Sequence, residues 1–249
     1  MVKIKRRILS PTAINTYLAC PKKFYLRYIK RLKTRPSIHF IRGQIVHKTL
    51  HEFHKNCASI QPGDLPEQIR PELLKLFNQY WQTAAGSLNN LGLTTEQLEF
   101  YHDDSEVMLL NFGHWFCNHD MTVPDLTEAR ILSDNLGLLG IIDAVFEKTD
   151  KVILVDYKTS KHAKITDDIM RQATLYSLLY QDRFKKVPEQ VGIHFLKEPG
   201  DPKPIHINDS LLEYGKNLIR FIREKTISEA ESNYPCTCGG YCERDFIKN

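Results

Sequence analysis

The sequence predicts an α/β protein in which helices precede and follow a block of short strands. Three observations predict it. From residue 126 onward, apolar residues gather into runs at Glu128–Ser133, Leu136–Glu147 and Lys151–Tyr157 that read as strands. A stretch with helical spacing follows at Thr166–Phe184, and a strand-like run returns at Gln190–Leu196. Before residue 126 the periodicity is helical almost throughout. Neighbouring strands, a crossover helix and a further strand build a sheet core flanked by helices. The 249 residues suffice for one well-buried core, so a single domain over 1–249 is expected. It divides into a helical region (1–57), a helical insertion (58–125), the sheet core (126–208) and a last helix with a cysteine cluster (209–249).

The elements follow in order. Ser10 is a capping residue and Pro11 suits a first helical position, so a helix should start there and run to about Leu32. After a linker at Arg35–Ser37, a second helix is expected from Gly43 to about Cys57, broken by Gln61-Pro62-Gly63-Asp64. Pro66 to His119 reads as mostly helical and contains no chemical motif. The polar turn Glu147–Lys151 makes its two flanking strands antiparallel neighbours. Pro204–Asn208 suggests an edge strand and Ser210–Glu229 a terminal helix. There is no internal repeat or low-complexity segment.

Lys and Arg number 34 against 30 Asp and Glu, a formal charge of +4, compatible with nucleic acid but far from demonstrating it. The cations cluster early: Lys3, Lys5, Arg6 and Arg7, then Lys22, Lys23, Arg27, Lys30, Arg31, Lys33 and Arg35. Lys22, Lys23 and Arg27 are the candidate phosphate contacts, with Tyr25 and Tyr28 available for stacking; a solvated helix face is the alternative. No apolar stretch reaches the roughly 20 residues of a membrane span, and no secretory core follows the basic start, so a cytoplasmic protein is expected. Of the 6 cysteines, three crowd into Cys236–Cys242, which favours metal binding over disulfides. Cys57 and Cys117 are expected to be packed thiols.

The chemistry sits in the hairpin. Gly140-Ile141-Ile142-Asp143 and Val155-Asp156-Tyr157-Lys158 place two acids and a lysine in runs that should be buried, where unpaired charges are costly. Side chains alternate along a strand, so Asp156 and Lys158 serve one site, and antiparallel pairing brings Asp143 across to Asp156. Two carboxylates this close repel unless a divalent cation neutralises them, and oxygen ligands suit Mg²⁺ or Mn²⁺. Glu128 is either an accessory acid or a solvent-facing one. His47 taken alone is a packed histidine or a ligand, and His51 and His54 are expected at the surface.

These residues, followed by Gln172-Ala173-Thr174-Leu175-Tyr176, resemble the motifs of the PD-(D/E)XK nucleases in their RecB-like branch, which includes CRISPR-associated and stand-alone exonucleases. Ser10–Ile14 with Tyr17, Cys20-Pro21 and Phe24 is similar to that family's opening helix, Gly43–His47 to its histidine motif, and Cys236, Cys238 and Cys242 to its terminal cysteines. The resemblance implies a restriction-endonuclease-like mixed sheet with a helical insertion. It also implies a metal held by His47, Asp143, Asp156 and the Tyr157 carbonyl, with Lys158 beside the attacked phosphate and Gln172 and Tyr176 in positioning roles. The implied activity is metal-dependent DNA hydrolysis, as an exonuclease on single-stranded or frayed ends in repair, recombination or CRISPR adaptation, with proteins of those systems as partners. A non-catalytic DNA-end-binding subunit and a metal-stapled adaptor are the competing readings. Cys20 with the three late cysteines would supply the four thiolates of a [4Fe–4S] cluster, with tetrahedral Zn²⁺ as the chemical alternative. Here the late spacing is C-x-C-x3-C instead of the family's C-x-x-C-x5-C.

Overall fold

The computed structural model describes residues 7–56, 66–119, 123–148 and 151–247. Ser10 caps α1 (Pro11–Ala19), its hydroxyl accepting from the Ala13 N–H, with Pro11 in the first turn. The expected continuous helix to Leu32 breaks at Cys20. A residue before proline is driven out of helical geometry, and Cys20 is extended (φ −164°, ψ 111°) before Pro21. The chain resumes as α2 (Pro21–Phe24) and a π-helical turn at Tyr25–Ile29. The next helix, α3 (Ile38–Asn56), starts ahead of Gly43 because Ser37 opens it, its Oγ accepting from the Phe40 N–H at 3.3 Å. In the stretch read as an insertion lie α4 (Pro66–Thr83), α5 (Ala85–Asn89) and α6 (Thr95–Cys117), the last opened by a reciprocal Thr94–Gln97 capping box. The break at Gln61–Asp64, the packing of Cys57 and the cations Lys3, Lys5 and Arg6 lie outside the described residues.

The sheet runs in the order β1 (Leu126–Ser133), β2 (Leu138–Lys148), β3 (Lys151–Lys158), β4 (Gln190–Phe195) and β5 (Lys203–His206). Neighbours are antiparallel except β3 and β4, which are parallel and therefore joined by a crossover helix, α7 (Asp167–Phe184). Asn208, read as the end of an edge strand, instead caps α8 (Asp209–Lys225) by accepting from the Leu211 N–H. That helix stops short of Glu229. The residues beyond it turn around Ser228, whose hydroxyl accepts from the Ala230 N–H and whose carbonyl accepts from Tyr234.

Two cores sandwich the sheet. On one face Ile14 of α1, Leu175 and Leu179 of α7 and Ile222 of α8 pack over Ile142, Leu154 and Ile193. On the other, Val46 and Phe53 of α3, Phe77 of α4 and Phe112 of α6 pack over Phe146, Val155 and Tyr157. Each such fully buried side chain contributes ~1.5–3 kcal/mol. Gly140 sets the approach of α7: a Cβ there would stand 2.6 Å from a Leu179 methyl and 3.1 Å from the Tyr176 ring. No helix among the described residues is long and apolar enough to cross a membrane.

Strand alternation is reset at one position. Leu138 and Ile142 of β2 face the first core, whereas Ala144 and Phe146 face the second, so the inversion falls at Asp143. Across from it, between the Thr127–Ala144 and Ala129–Ile142 pairs, Glu128 adopts a left-handed backbone, φ 47°. Such a conformation in a non-glycine residue is strained and tends to mark sites of function.

Candidate active site

The reset strands aim their acids at α3. Asp143, 9% exposed, accepts the Tyr157 N–H on Oδ2 at 2.8 Å, while its Oδ1 lies 3.2 Å from His47 Nδ1. Glu128 Oε1 is 3.9 Å from the same nitrogen. One donor atom from each of His47, Glu128 and Asp143 falls within 4.8 Å of the others, a grouping fit for a cation. Asp156 follows on β3, where its Oδ2 pairs with Lys158 Nζ at 2.5 Å. Lys158 also donates to Gln172 Oε1 at 2.8 Å, and Gln172 Nε2 donates to the Tyr176 hydroxyl at 2.7 Å. Four elements, α3, β1, β2 and β3, with the crossover helix α7 thus bring together His47, Glu128, Asp143, Asp156, Lys158, Gln172 and Tyr176.

The electrostatics are those of a site with excess buried negative charge. Burial disfavours protonated His47, yet Asp143, Asp156 and Glu128 outweigh it and raise the imidazole to about 9. Burial pushes Asp156 up, with Lys158 opposing and Asp143 reinforcing the shift. Glu128 is raised by burial and by Asp143. Asp143 is held low despite burial, because His47, the Tyr157 N–H and Lys158 favour its charged form. Burial and the nearby acids also raise Tyr176 well above the ordinary phenol range, keeping it a hydrogen-bonding hydroxyl.

The site floors a cleft of about 1370 Å³, larger than the ~300–1,000 Å³ of a small-molecule pocket. Its walls carry residues that sequence reasoning missed. Phe40 and Phe100 line it while 60% and 63% exposed, beside Tyr101, Lys48 and Lys161. Buried Arg42 pairs with Asp104 and donates to the Thr159 carbonyl at 3.0 Å, tying α3 to the end of β3. A signal for this wall exists: His39, Gly43, His47 and His51 recur every fourth residue, one helical face, and all line the cleft. His54 corrects the expectation of a surface residue; it is 3% exposed, and its Nε2 lies 3.0 Å from the Tyr157 hydroxyl.

The candidate phosphate contacts lie elsewhere. Lys22 pairs with Glu231, Lys23 with Asp245, and Arg27 lies over the Tyr28 ring; none of the three lines the cleft. Tyr25 is buried and stacked on Tyr234 at 5.2 Å, so it is not the accessible stacking platform expected.

Beside these pairs, the break at Cys20 meets the late cysteines. The sulfurs of Cys20, Cys236, Cys238 and Cys242 all lie within 4.8 Å of one another. Cys236 is 3.7 Å from Cys238 and 3.6 Å from Cys242, sulfur to sulfur. Left-handed Gly239 and Gly240 (φ 63° and 86°) turn the backbone between them. The Gly240 N–H then donates to Cys236 Sγ at 3.2 Å and the Cys242 N–H to Cys238 Sγ at 3.1 Å.

A family model described as the PD-(D/E)XK nuclease superfamily matches residues 8–246. The fold is similar to the crystal structure of a "putative exonuclease" from Eubacterium rectale, with TM-score 0.61 and 11% identity over 98% of this chain and 90% of that one. At that identity the likeness is one of fold. No curated protein matches the chain in sequence.

Proposed function

Because the chain belongs to the PD-(D/E)XK nuclease superfamily, we propose that it hydrolyses DNA phosphodiester bonds with Mg²⁺ or Mn²⁺, as an exonuclease acting on single-stranded or frayed ends during DNA repair, recombination or CRISPR adaptation. The observation that carries the reading is the convergence of His47, Glu128, Asp143 and Asp156 with Lys158 on the floor of one open cleft.

The donor set fits a divalent cation. His47 Nδ1 and carboxylate oxygens of Glu128 and Asp143 are grouped, and Asp156 and Tyr157 of β3 line the same cleft, so the Asp156 carboxylate and the Tyr157 carbonyl would complete the set. A mixed imidazole and carboxylate set accepts Mn²⁺ more readily than an all-oxygen one. When bound, the cation polarises the phosphodiester and lowers the pKa of a coordinated water. The protein's own part is positioning. Gln172 and Asp156 fix the Lys158 ammonium, and Tyr176 fixes Gln172, so a cation stands preset beside the acids where a phosphate oxygen must lie. Lys158 there orients the attacking water or stabilises charge on the phosphorane-like transition state. Exposed Phe40 and Phe100 offer faces on which unpaired bases stack, with Lys48 and Lys161 for phosphates, and this supports a single strand over an intact duplex.

The test is cleavage of end-labelled linear and of circular single-stranded DNA with Mg²⁺ or Mn²⁺ against a chelator control. Loss of linear substrate with circles spared is expected. Cut circles would make the enzyme an endonuclease, and binding of ends without cleavage in either metal would make it a non-catalytic subunit.

A further inference from the structure

The iron–sulfur cluster implied by the sequence resemblance does not fit the sulfur geometry. Four thiolates around a single tetrahedral ion with bonds of about 2.3 Å stand about 3.8 Å apart. Cys236 lies 3.7 Å from Cys238 and 3.6 Å from Cys242, and all four sulfurs fit within 4.8 Å. A [4Fe–4S] cube bonds each thiolate to a different iron and carries its own sulfides between them, which spreads the cysteines well beyond single-ion spacing. There is no room inside this sulfur cage for a cube.

We propose that Cys20, Cys236, Cys238 and Cys242 hold one Zn²⁺ as a closed structural site. The backbone is shaped for it. The C-x-C-x3-C segment wraps tightly over its two left-handed glycines, and amide N–H groups point at two of the sulfurs, the arrangement that stabilises thiolate charge on a metal. Four thiolates with no open position suit a structural ion, not a catalytic one. The surroundings make it a clamp. Thr237 Oγ1 donates to the Ala19 carbonyl at 3.1 Å, Lys22 and Lys30 share Glu231, and Tyr234 inserts against Phe24 and Tyr25. The ion therefore pins the α1–α2 break to the segment after α8. Since α1 packs on α7, which carries Gln172 and Tyr176, the clamp braces the wall that positions Lys158.

The experiment is metal and sulfide analysis of full-length protein made anaerobically in medium containing both iron and zinc. An Asp143→Ala, Asp156→Ala double variant is analysed in parallel, so that zinc held by those carboxylates is not counted. Expected are about one zinc per chain in both proteins, no acid-labile sulfide, and X-ray absorption showing four sulfurs at about 2.3 Å. Co²⁺ replacement should give a thiolate-to-cobalt charge-transfer band that Cys238→Ser loses and Cys117→Ser keeps. Should Cys238→Ser fail to fold, mercurial titration of the intact protein replaces it, with zinc release expected only as four thiols are consumed. Brown protein with about four iron and four sulfide per chain would overturn the proposal in favour of the cluster. Metal-free protein with an unchanged Tm after chelation, or zinc bound mainly by nitrogen and oxygen, would overturn it too.

Discussion

Asp143 uses both carboxylate oxygens, one toward His47 and one on the Tyr157 N–H, and so fixes the helix and the strand that flank the site. Asp143→Ala or Asp156→Ala should lower metal-dependent cleavage by about 10³-fold, equivalent to ~4 kcal/mol of barrier, with DNA binding retained. Near-normal turnover by a folded variant would remove these acids from the mechanism. Lys158→Ala should slow single-turnover chemistry while calorimetry shows Mn²⁺ affinity close to that of the parent, since an ammonium is not a ligand. Equal loss of metal binding in Lys158→Ala and Asp156→Ala would contradict that division. These three residues were legible in the sequence because charges stood inside apolar strands. Glu128 stayed ambiguous because a left-handed backbone cannot be read from an acid at a strand start. His54 was misread because its partner, Tyr157, is far along the chain.

At the level of elements, α7 lies tightly on β2 at Gly140. Gly140→Ala would drive a methyl against Leu179 and Tyr176, so it should cost about 1–3 kcal/mol in denaturant unfolding. It should also reduce cleavage more than binding, because Tyr176 holds Gln172 and Gln172 holds Lys158. A variant with wild-type midpoint and rate would show that α7 has slack. The strands were legible to within a residue or two, since Val, Ile and Leu runs bounded by polar turns admit few other structures. The opening helix was not, because its apolar periodicity continues through a proline that breaks the backbone at Cys20. The cleft aromatics of α3 and α6 were hidden for another reason: exposed Phe40 and Phe100 look like any other residue on an amphipathic helix until the fold puts them on one rim.

Across the whole molecule, charge is distributed less simply than its clustering along the chain suggests. If Lys48 and Lys161 meet phosphates, replacing both with Ala should reduce the salt slope of DNA binding by about 2, whereas Lys22→Gln with Lys23→Gln should leave it unchanged. The reverse pattern in filter binding by the Asp156→Ala variant would return the phosphate path to the early cations. Acid stability has a separate origin. Burial drives His194 down to about 4 and His54 to about 3, so both are neutral in the fold. Below about 6.5 the unfolded chain takes up these protons and the native one does not, so stability falls as pH drops from there toward 4. In metal-free protein His47, raised to about 9, contributes with the opposite sign, its stabilisation fading as pH rises toward that value. The informative quantity is therefore a difference. His194→Leu should lose about 1–2 kcal/mol less than the parent between pH 7 and pH 5 in urea melts. Parallel losses would mean that His194 charges without unfolding.

The joining of Cys20 to the late cysteines also has a consequence in time. Translation delivers Cys20 early and Cys236, Cys238 and Cys242 only after every residue of the cleft floor, His47 through Tyr176, has left the ribosome. A polypeptide halted after Tyr176 and before Cys236 owns the full catalytic set but only one of the four sulfurs. If the four thiolates hold one ion, only a chain translated through Cys242 can lock its opening helix, and products stopped before Cys236 should be cut faster in limited proteolysis.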